Sequence, residues 1–164
     1  MKIIWSNFMD STNIVMTIQE YCNKINALNA DQNISTLFDG IDLENSVLKI
    51  LQNTTQTYFT TEVLCNQSVA ETVILNNEIV KLFTNRLGLL FSSEKEAGNV
   101  CFATSSELRP EFRQSFMAIE LLDYIYAFVH SSFYKEFQKI PITSEADIFW
   151  KLVKIGVGLR KEIK

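Results

Sequence analysis

His130 is the only histidine in the chain, which removes every mechanism that needs two imidazoles. As a general base it would need an orienting carboxylate within hydrogen-bond reach. Asp123 precedes it by two helical turns, roughly 10 Å along a helix axis, so the two side chains do not touch. A structural hydrogen bond from His130 to a neighbouring loop is expected instead. Asp39, Asp42 and Glu44 are close enough in sequence to suggest a divalent-cation site, but a metal nuclease also needs a correctly placed lysine and a strand to carry it. Leu37-Phe-Asp-Gly-Ile-Asp42 has a single glycine and no apolar strand before it, so it reads as a turn and helix cap rather than a nucleotide-binding loop. Cys22, Cys65 and Cys101 are odd in number, widely spaced and without a histidine at ligand spacing. Neither a disulfide framework nor a zinc site is expected from them, and all three read as buried reduced thiols. The chain also lacks a phosphate-binding glycine loop, a zincin motif, a nucleophile elbow and a paired-cysteine motif. It is expected to be no enzyme, with no metal and no cofactor.

The elements that would position any such residues follow from composition and periodicity. The 164 residues, 47% of them hydrophobic, suit one domain over 1–164 with a full core, and two prolines and five glycines are too few for a long disordered linker. The formal charge of −4 gives no whole-chain signature of a nucleic-acid binder, so any DNA contact must be a local basic patch. No apolar run reaches membrane-spanning length and the N-terminal run is too short for a signal-peptide core, so a cytoplasmic protein with no membrane partner is expected.

Residues 12–29 carry Ile14, Ile18, Cys22, Ile25 and Leu28 at helical spacing behind caps at Ser11 or Thr12. A second helix is expected from Asp42, and Thr57 to Val63 reads as a strand. Ser68 and Glu71 have capping-box spacing and favour a helix to about Phe83, while Asn76-Asn77 also suits a hairpin turn; the helix is preferred. Strands at Leu87–Phe91 and Val100–Thr104, joined through Gly98-Asn99, are expected to pair antiparallel.

From about residue 116 the pattern turns helical. Leu121, Leu122, Ile125, Phe128, Val129 and Phe133 share an apolar face, with Glu120, Asp123, Ala127, His130 and Tyr134 opposite. Pro141 ends that crossing. A final helix behind Ser144 buries Ile148, Leu152, Ile155, Leu159 and Ile163 and turns Lys151, Lys154 and Lys161 outward. Trp150, Val153 and Val157 fall near the lysine side, where they would form a patch for docking a partner. The fold class expected is α+β: a small, mainly antiparallel sheet packed with helices, with a mixed α/β body over 1–115 and a C-terminal helical pair over 116–164.

Tyr124-Ile-Tyr-Ala127, His130-Ser131 and Tyr134, then Lys139-Ile-Pro141, Phe149, Leu152, Ile155-Gly156 and Leu159, resemble the C-terminal signature of type ISP restriction-modification enzymes and related large adenine-specific DNA methyltransferases. Asn85-Arg-Leu-Gly-Leu-Leu-Phe91 and Val100-Cys-Phe-Ala-Thr104 resemble the two strands that precede it. In that family this region is the target-recognition, or specificity, domain. A methyltransferase of the family also needs a glycine motif for S-adenosylmethionine and an Asn-Pro-Pro-Tyr-type loop for the flipped adenine. With prolines only at 110 and 141, this chain has no such loop. The resemblance implies a noncatalytic specificity domain that binds double-stranded DNA and acts with a separate methyltransferase or restriction subunit. Arg86, Lys95, Arg109 and Arg113, in or beside the strand and loop region, are the candidate DNA contacts, since Arg suits bidentate reading of guanine. The alternative is a protein-interaction or structural module that docks through Trp150, Val153 and Val157.

Overall fold

The computed structural model describes residues 17–28, 41–53, 57–67, 73–92 and 113–161. Helix α1 spans Ile18–Ala27 and is opened by a reciprocal capping box. The Glu20 amide donates to Thr17 Oγ1 at 3.1 Å, and the Thr17 amide donates to Glu20 Oε2 at 2.8 Å. The helix is thus capped at Thr17 rather than at Ser11 or Thr12, which lie outside the described residues together with Ile14. Helix α2, Ile41–Asn53, buries Leu43, Val47 and Ile50 at helical spacing.

The expected strand from Thr57 to Val63 is cut short. Strand β1 is Tyr58–Phe59, and Thr61–Val63 turn into a single 3-10 turn. Strands β2, Cys65–Gln67, and β3, Val73–Leu75, then form an antiparallel hairpin. Helix α3 covers Asn77–Leu87, so the expected helix starts later than Ser68 and the Asn76-Asn77 pair is neither helix interior nor hairpin turn. Asn76 caps α3: its Oδ1 accepts from the Glu78 amide at 2.9 Å while its Nδ2 donates to the Val63 carbonyl at 2.8 Å. A short amide side chain satisfies helix and turn together, and this outcompetes the longer helix. Gly88, left-handed at φ 70°, closes α3 and hands the chain to strand β4, Leu90–Ser92.

Strand β4 pairs in parallel with strand β5, Ser115–Met117. The antiparallel partner expected at Val100–Thr104 lies outside the described residues. Helix α4, Ala118–Phe128, follows β5 directly, then the short helix α5, Ser132–Phe137, strand β6, Ile140–Pro141, and helix α6, Ala146–Lys161. β6 pairs antiparallel with β1. The fold is α+β, as expected, but its strands form three separate pairs, two antiparallel and one parallel, among the described residues.

The expected long crossing helix is broken at Val129–Ser131. Ser131 takes up the N-cap of α5, its Oγ accepting from the Tyr134 amide at 3.2 Å. The polar face anticipated for this region does not reach solvent: every residue from Glu120 to Ser131 is buried. Helix α4 is the centre of the molecule, with α6 along one side and α1 and α2 also against it. A helix enclosed on several sides must bury its polar stripe as well as its apolar one, and does so by pairing each charge.

Aromatic rings fill the space around α4. Phe83, Tyr124 and Phe149 meet pairwise at centroid distances of 5.3 to 6.1 Å, and Phe116 closes on Phe149 at 5.5 Å. The buried Tyr124 hydroxyl donates to the Pro141 carbonyl at 2.9 Å, tying α4 to β6. On α6, Ser144 is exposed and stands two positions before the first helical residue; the Glu145 amide instead donates to Thr143 Oγ1 at 3.1 Å. The outward positions of Lys151, Lys154 and Lys161 are as expected, and Ile163 lies outside the described residues.

The α4–α6 contact depends on Gly156. A Cβ at this position would overlap the Asp123 carbonyl oxygen, which is backbone and has nowhere to retreat. Gly158, two residues on, faces open space. We expect Gly156→Ala to lose about 3 kcal/mol of stability, whereas Gly158→Ala gains about 0.5–1 kcal/mol by removing backbone freedom in a helix interior. Urea unfolding of the two variants beside the parent measures both; equal effects would show that α4 and α6 do not approach at Gly156.

Candidate functional site

Three groups of charged residues bear on function. The first is centred on Asp123, which is 1% exposed on the α4 face turned toward α1 and α6. The Tyr21 hydroxyl of α1 donates to its Oδ1 at 2.5 Å. From α6, Arg160 Nε donates to the same oxygen at 2.9 Å and Nη2 donates to Oδ2 at 3.2 Å. Burial pushes the Asp123 carboxyl above the usual carboxylate range, opposed by the hydrogen bonds from Arg160 and Tyr21. Burial and then the Asp123 charge drive the Tyr21 hydroxyl far up, so it remains a donor. Burial disfavours the Arg160 charge, but the Asp123 hydrogen bond and charge outweigh it and keep the guanidinium protonated.

The second group contains two residues that sequence reasoning had assigned to different surfaces. Arg113, 8% exposed, holds Glu120 through Nη1 at 2.6 Å and Nη2 at 2.8 Å, and its guanidinium lies 4.1 Å from the centroid of the Trp150 ring. Glu120 also accepts from the Met117 amide at 2.9 Å, so one carboxylate joins the arginine to the start of α4. Arg113 is therefore an internal ion-pair partner and not a DNA contact. Trp150 and Val153 are each 6% exposed and only Val157 is partly open, so the expected docking patch is not assembled. The reason is that α2 as well as α4 packs on α6, which widens the buried stripe beyond the Ile148–Leu152 line.

Of the remaining candidate DNA contacts, Arg86 in the last turn of α3 donates from Nη2 to Thr57 Oγ1 at 2.6 Å. Lys95 and Arg109 lie outside the described residues. His130 is buried just past the end of α4, with Nδ1 2.7 Å from the Tyr126 carbonyl and its ring edge-on to Tyr126. Glu44 accepts from the Ser132 amide at 2.9 Å and the Ser132 hydroxyl at 2.8 Å, joining α2 to α5. Asp42 is exposed and Asp39 lies outside the described residues. Among the described residues no three His, Cys, Asp or Glu side chains gather as a metal site.

The cysteine expectation is overturned. Cys22 of α1 and Cys65 of β2 form a disulfide across a separation of 43 residues. The packing of α1 on the 3-10 turn and the β2–β3 hairpin brings the two thiols together, which linear spacing does not reveal. Cys101 lies outside the described residues.

The third group is the exposed face of α6. Lys151, Lys154 and Lys161 point to solvent along it, with exposed Gly158 between the second and third. Their spacings of three and seven residues keep them on one side of the helix, over roughly 15 Å of axis at 1.5 Å per residue. No helix among the described residues is long and apolar enough to cross a membrane.

No family model, curated protein or solved structure matches the chain. The residues that carry the restriction-modification likeness have a structural role in this molecule. Tyr124, Tyr134, Phe149, Leu152, Gly156 and Leu159 are all buried, most of them where α4 meets α6.

Two measurements check the Asp123 cluster. Tyr21→Phe removes one charge-assisted hydrogen bond while keeping the ring, and we expect it to lose about 1.5–3 kcal/mol in urea unfolding. The pH dependence has a definite sign. The folded-state value of Asp123 lies above its unfolded value, so its contribution is complete below the unfolded value and is lost as pH rises through the folded one. Asp123→Asn lacks this titration and bears a pH-independent penalty instead. The stability difference between parent and Asp123→Asn should move in the variant's favour as pH rises above the carboxylate range; the opposite slope would show that Arg160 dominates the carboxyl.

Proposed function

We propose that the protein is a noncatalytic DNA-binding module of the specificity-domain kind, contacting the phosphate backbone through the exposed lysine face of α6 and working with a separate methyltransferase or restriction subunit in the cytoplasm. The single observation that carries the backbone contact is the alignment of Lys151, Lys154 and Lys161 on one solvent face, with no acidic side chain between them. In a chain of formal charge −4, phosphate binding requires basic side chains to be segregated, and this helix segregates them. Gly158 leaves the middle of the stripe bare, so a polyanion can approach the helix closely there. The buried arginines do not compete for this role: Arg113 and Arg160 are bound to Glu120 and Asp123. The likeness of the Tyr124–Leu159 segment to a specificity domain supports DNA over other polyanions.

Fluorescence anisotropy with a random-sequence DNA duplex over a salt series tests this. Neutralising three phosphates gives a slope of log affinity against log salt of about −2.7 for B-DNA. We expect the Lys151→Gln, Lys154→Gln, Lys161→Gln triple variant, whose substitutions are all at solvent, to remain folded and to lose that slope. Absence of binding by the parent protein at low salt, or an unchanged slope in the variant, would overturn the proposal.

A further inference from the structure

The Cys22–Cys65 disulfide has a position that suits regulation. Cys22 directly follows Tyr21 on α1, and Tyr21 holds Asp123 at the centre of the molecule. Cys65 is partly exposed at the start of the β2–β3 hairpin, while Cys22 is buried, so the bond is approached from the Cys65 side. The bond therefore joins the start of β2 to the helix that supplies a core hydrogen bond. A protein that meets DNA in the cytoplasm works where disulfides are kept reduced unless they are redox-sensing, a step that rests on the DNA-contact reading.

We propose that Cys22–Cys65 is a redox-sensitive clamp: a dithiol reductant opens it, α1 detaches from the hairpin, and the Tyr21 hydroxyl leaves Asp123. A thiolate of the dithiol attacks Cys65 Sγ, forming a mixed disulfide and expelling the Cys22 thiolate, which takes up a proton. The second thiolate of the reductant then attacks its own sulfur in the mixed disulfide. Cys65 leaves as a thiolate and is protonated, and the reductant departs as a cyclic disulfide. Two electrons pass from the dithiol to the protein, and an oxidant of the disulfide class reverses the sequence. Helix α1 is the element released because its ten residues bury only Tyr21, Cys22 and Ile25, whereas α4 buries every residue but Ile119.

The experiment uses the full chain carrying Cys101→Ser, so that the pair under test contains the only cysteines. Alkylation and intact-mass measurement before and after dithiothreitol count the thiols, and hydrogen exchange is followed peptide by peptide in both states. The expected result is no free thiol in the oxidised protein and two after reduction. Exchange should be at least tenfold faster within residues 18–27, while α4 and α6 stay protected and reoxidation restores α1. Unchanged exchange in α1 would overturn the clamp, as would free Cys22 and Cys65 under oxidising conditions. Loss of protection throughout the chain would also overturn it, since the bond would then be a global staple. A Cys22→Ser, Cys65→Ser variant in the same background should reproduce the reduced pattern. None of these readouts involves DNA, so their failure is distinct from failure of the α6 contact.

Discussion

A single carboxylate at the centre of the molecule constrains most of what surrounds it. Asp123 lies on α4 with almost no solvent contact, and an ionised carboxylate there is tolerable only if its oxygens are fully engaged. Tyr21 brings in α1, and Arg160 brings in the last turn of α6. The Asp123 backbone carbonyl is pressed against Gly156, so the same residue sets the spacing of the two long helices through its main chain and their rotation through its side chain. Buried ion pairs seldom add much net stability, but removing one partner strands the other. Such a contact therefore penalises any arrangement of the three helices that separates Asp123 from Arg160 or Tyr21.

The lysine face of α6 was legible in the sequence because it depends only on helical spacing, and so were the positions of α2 and α6. The limits of α3 were not, because Asn76 serves as cap and as a donor to Val63 at once, and that second role comes from a turn with no pattern of its own. A helical wheel assigns one face to solvent, and α4 gives neither face to it; the signal available was the placing of Glu120 and Asp123 in an otherwise apolar stretch, which demands cations from elsewhere. Arg113 and Arg160 are those cations, and only the fold identifies which arginines they are. The Cys22–Cys65 bond and the parallel β4–β5 pair share the same difficulty, since both join segments whose proximity is a product of tertiary packing.

The distribution of charge follows a division between the two kinds of basic side chain. Arg113 and Arg160 serve the interior, where the planar fork matches a carboxylate and the guanidinium stacks on Trp150 or approaches Tyr21. Lysine serves the surface of α6, where a strongly hydrated ammonium loses little by staying in water. Arg113, expected at the surface, is thereby internal, and the charge on the face of α6 is carried by lysines, which have no fixed hydrogen-bonding geometry. A face of this kind suits contact with a phosphate backbone rather than discrimination between bases.

The two hydrogen-bond partners of Asp123 are unequally distant along the chain: Arg160 is 37 residues away and Tyr21 is 102. Because loop closure grows costlier with separation, the α4–α6 pairing can form from a local stretch while α1 docks through a long-range contact. On the ribosome the order of appearance is the reverse of the order of assembly. Helix α1 emerges before both of its partners and has to wait for Asp123, and Asp123 then waits for Arg160, so the centre closes only when the polypeptide has been made through residue 160. Until then Tyr21, Cys22 and Ile25 have no finished surface to cover them, and the apolar face of α1 stays exposed while the segment from α1 to α6 is being made.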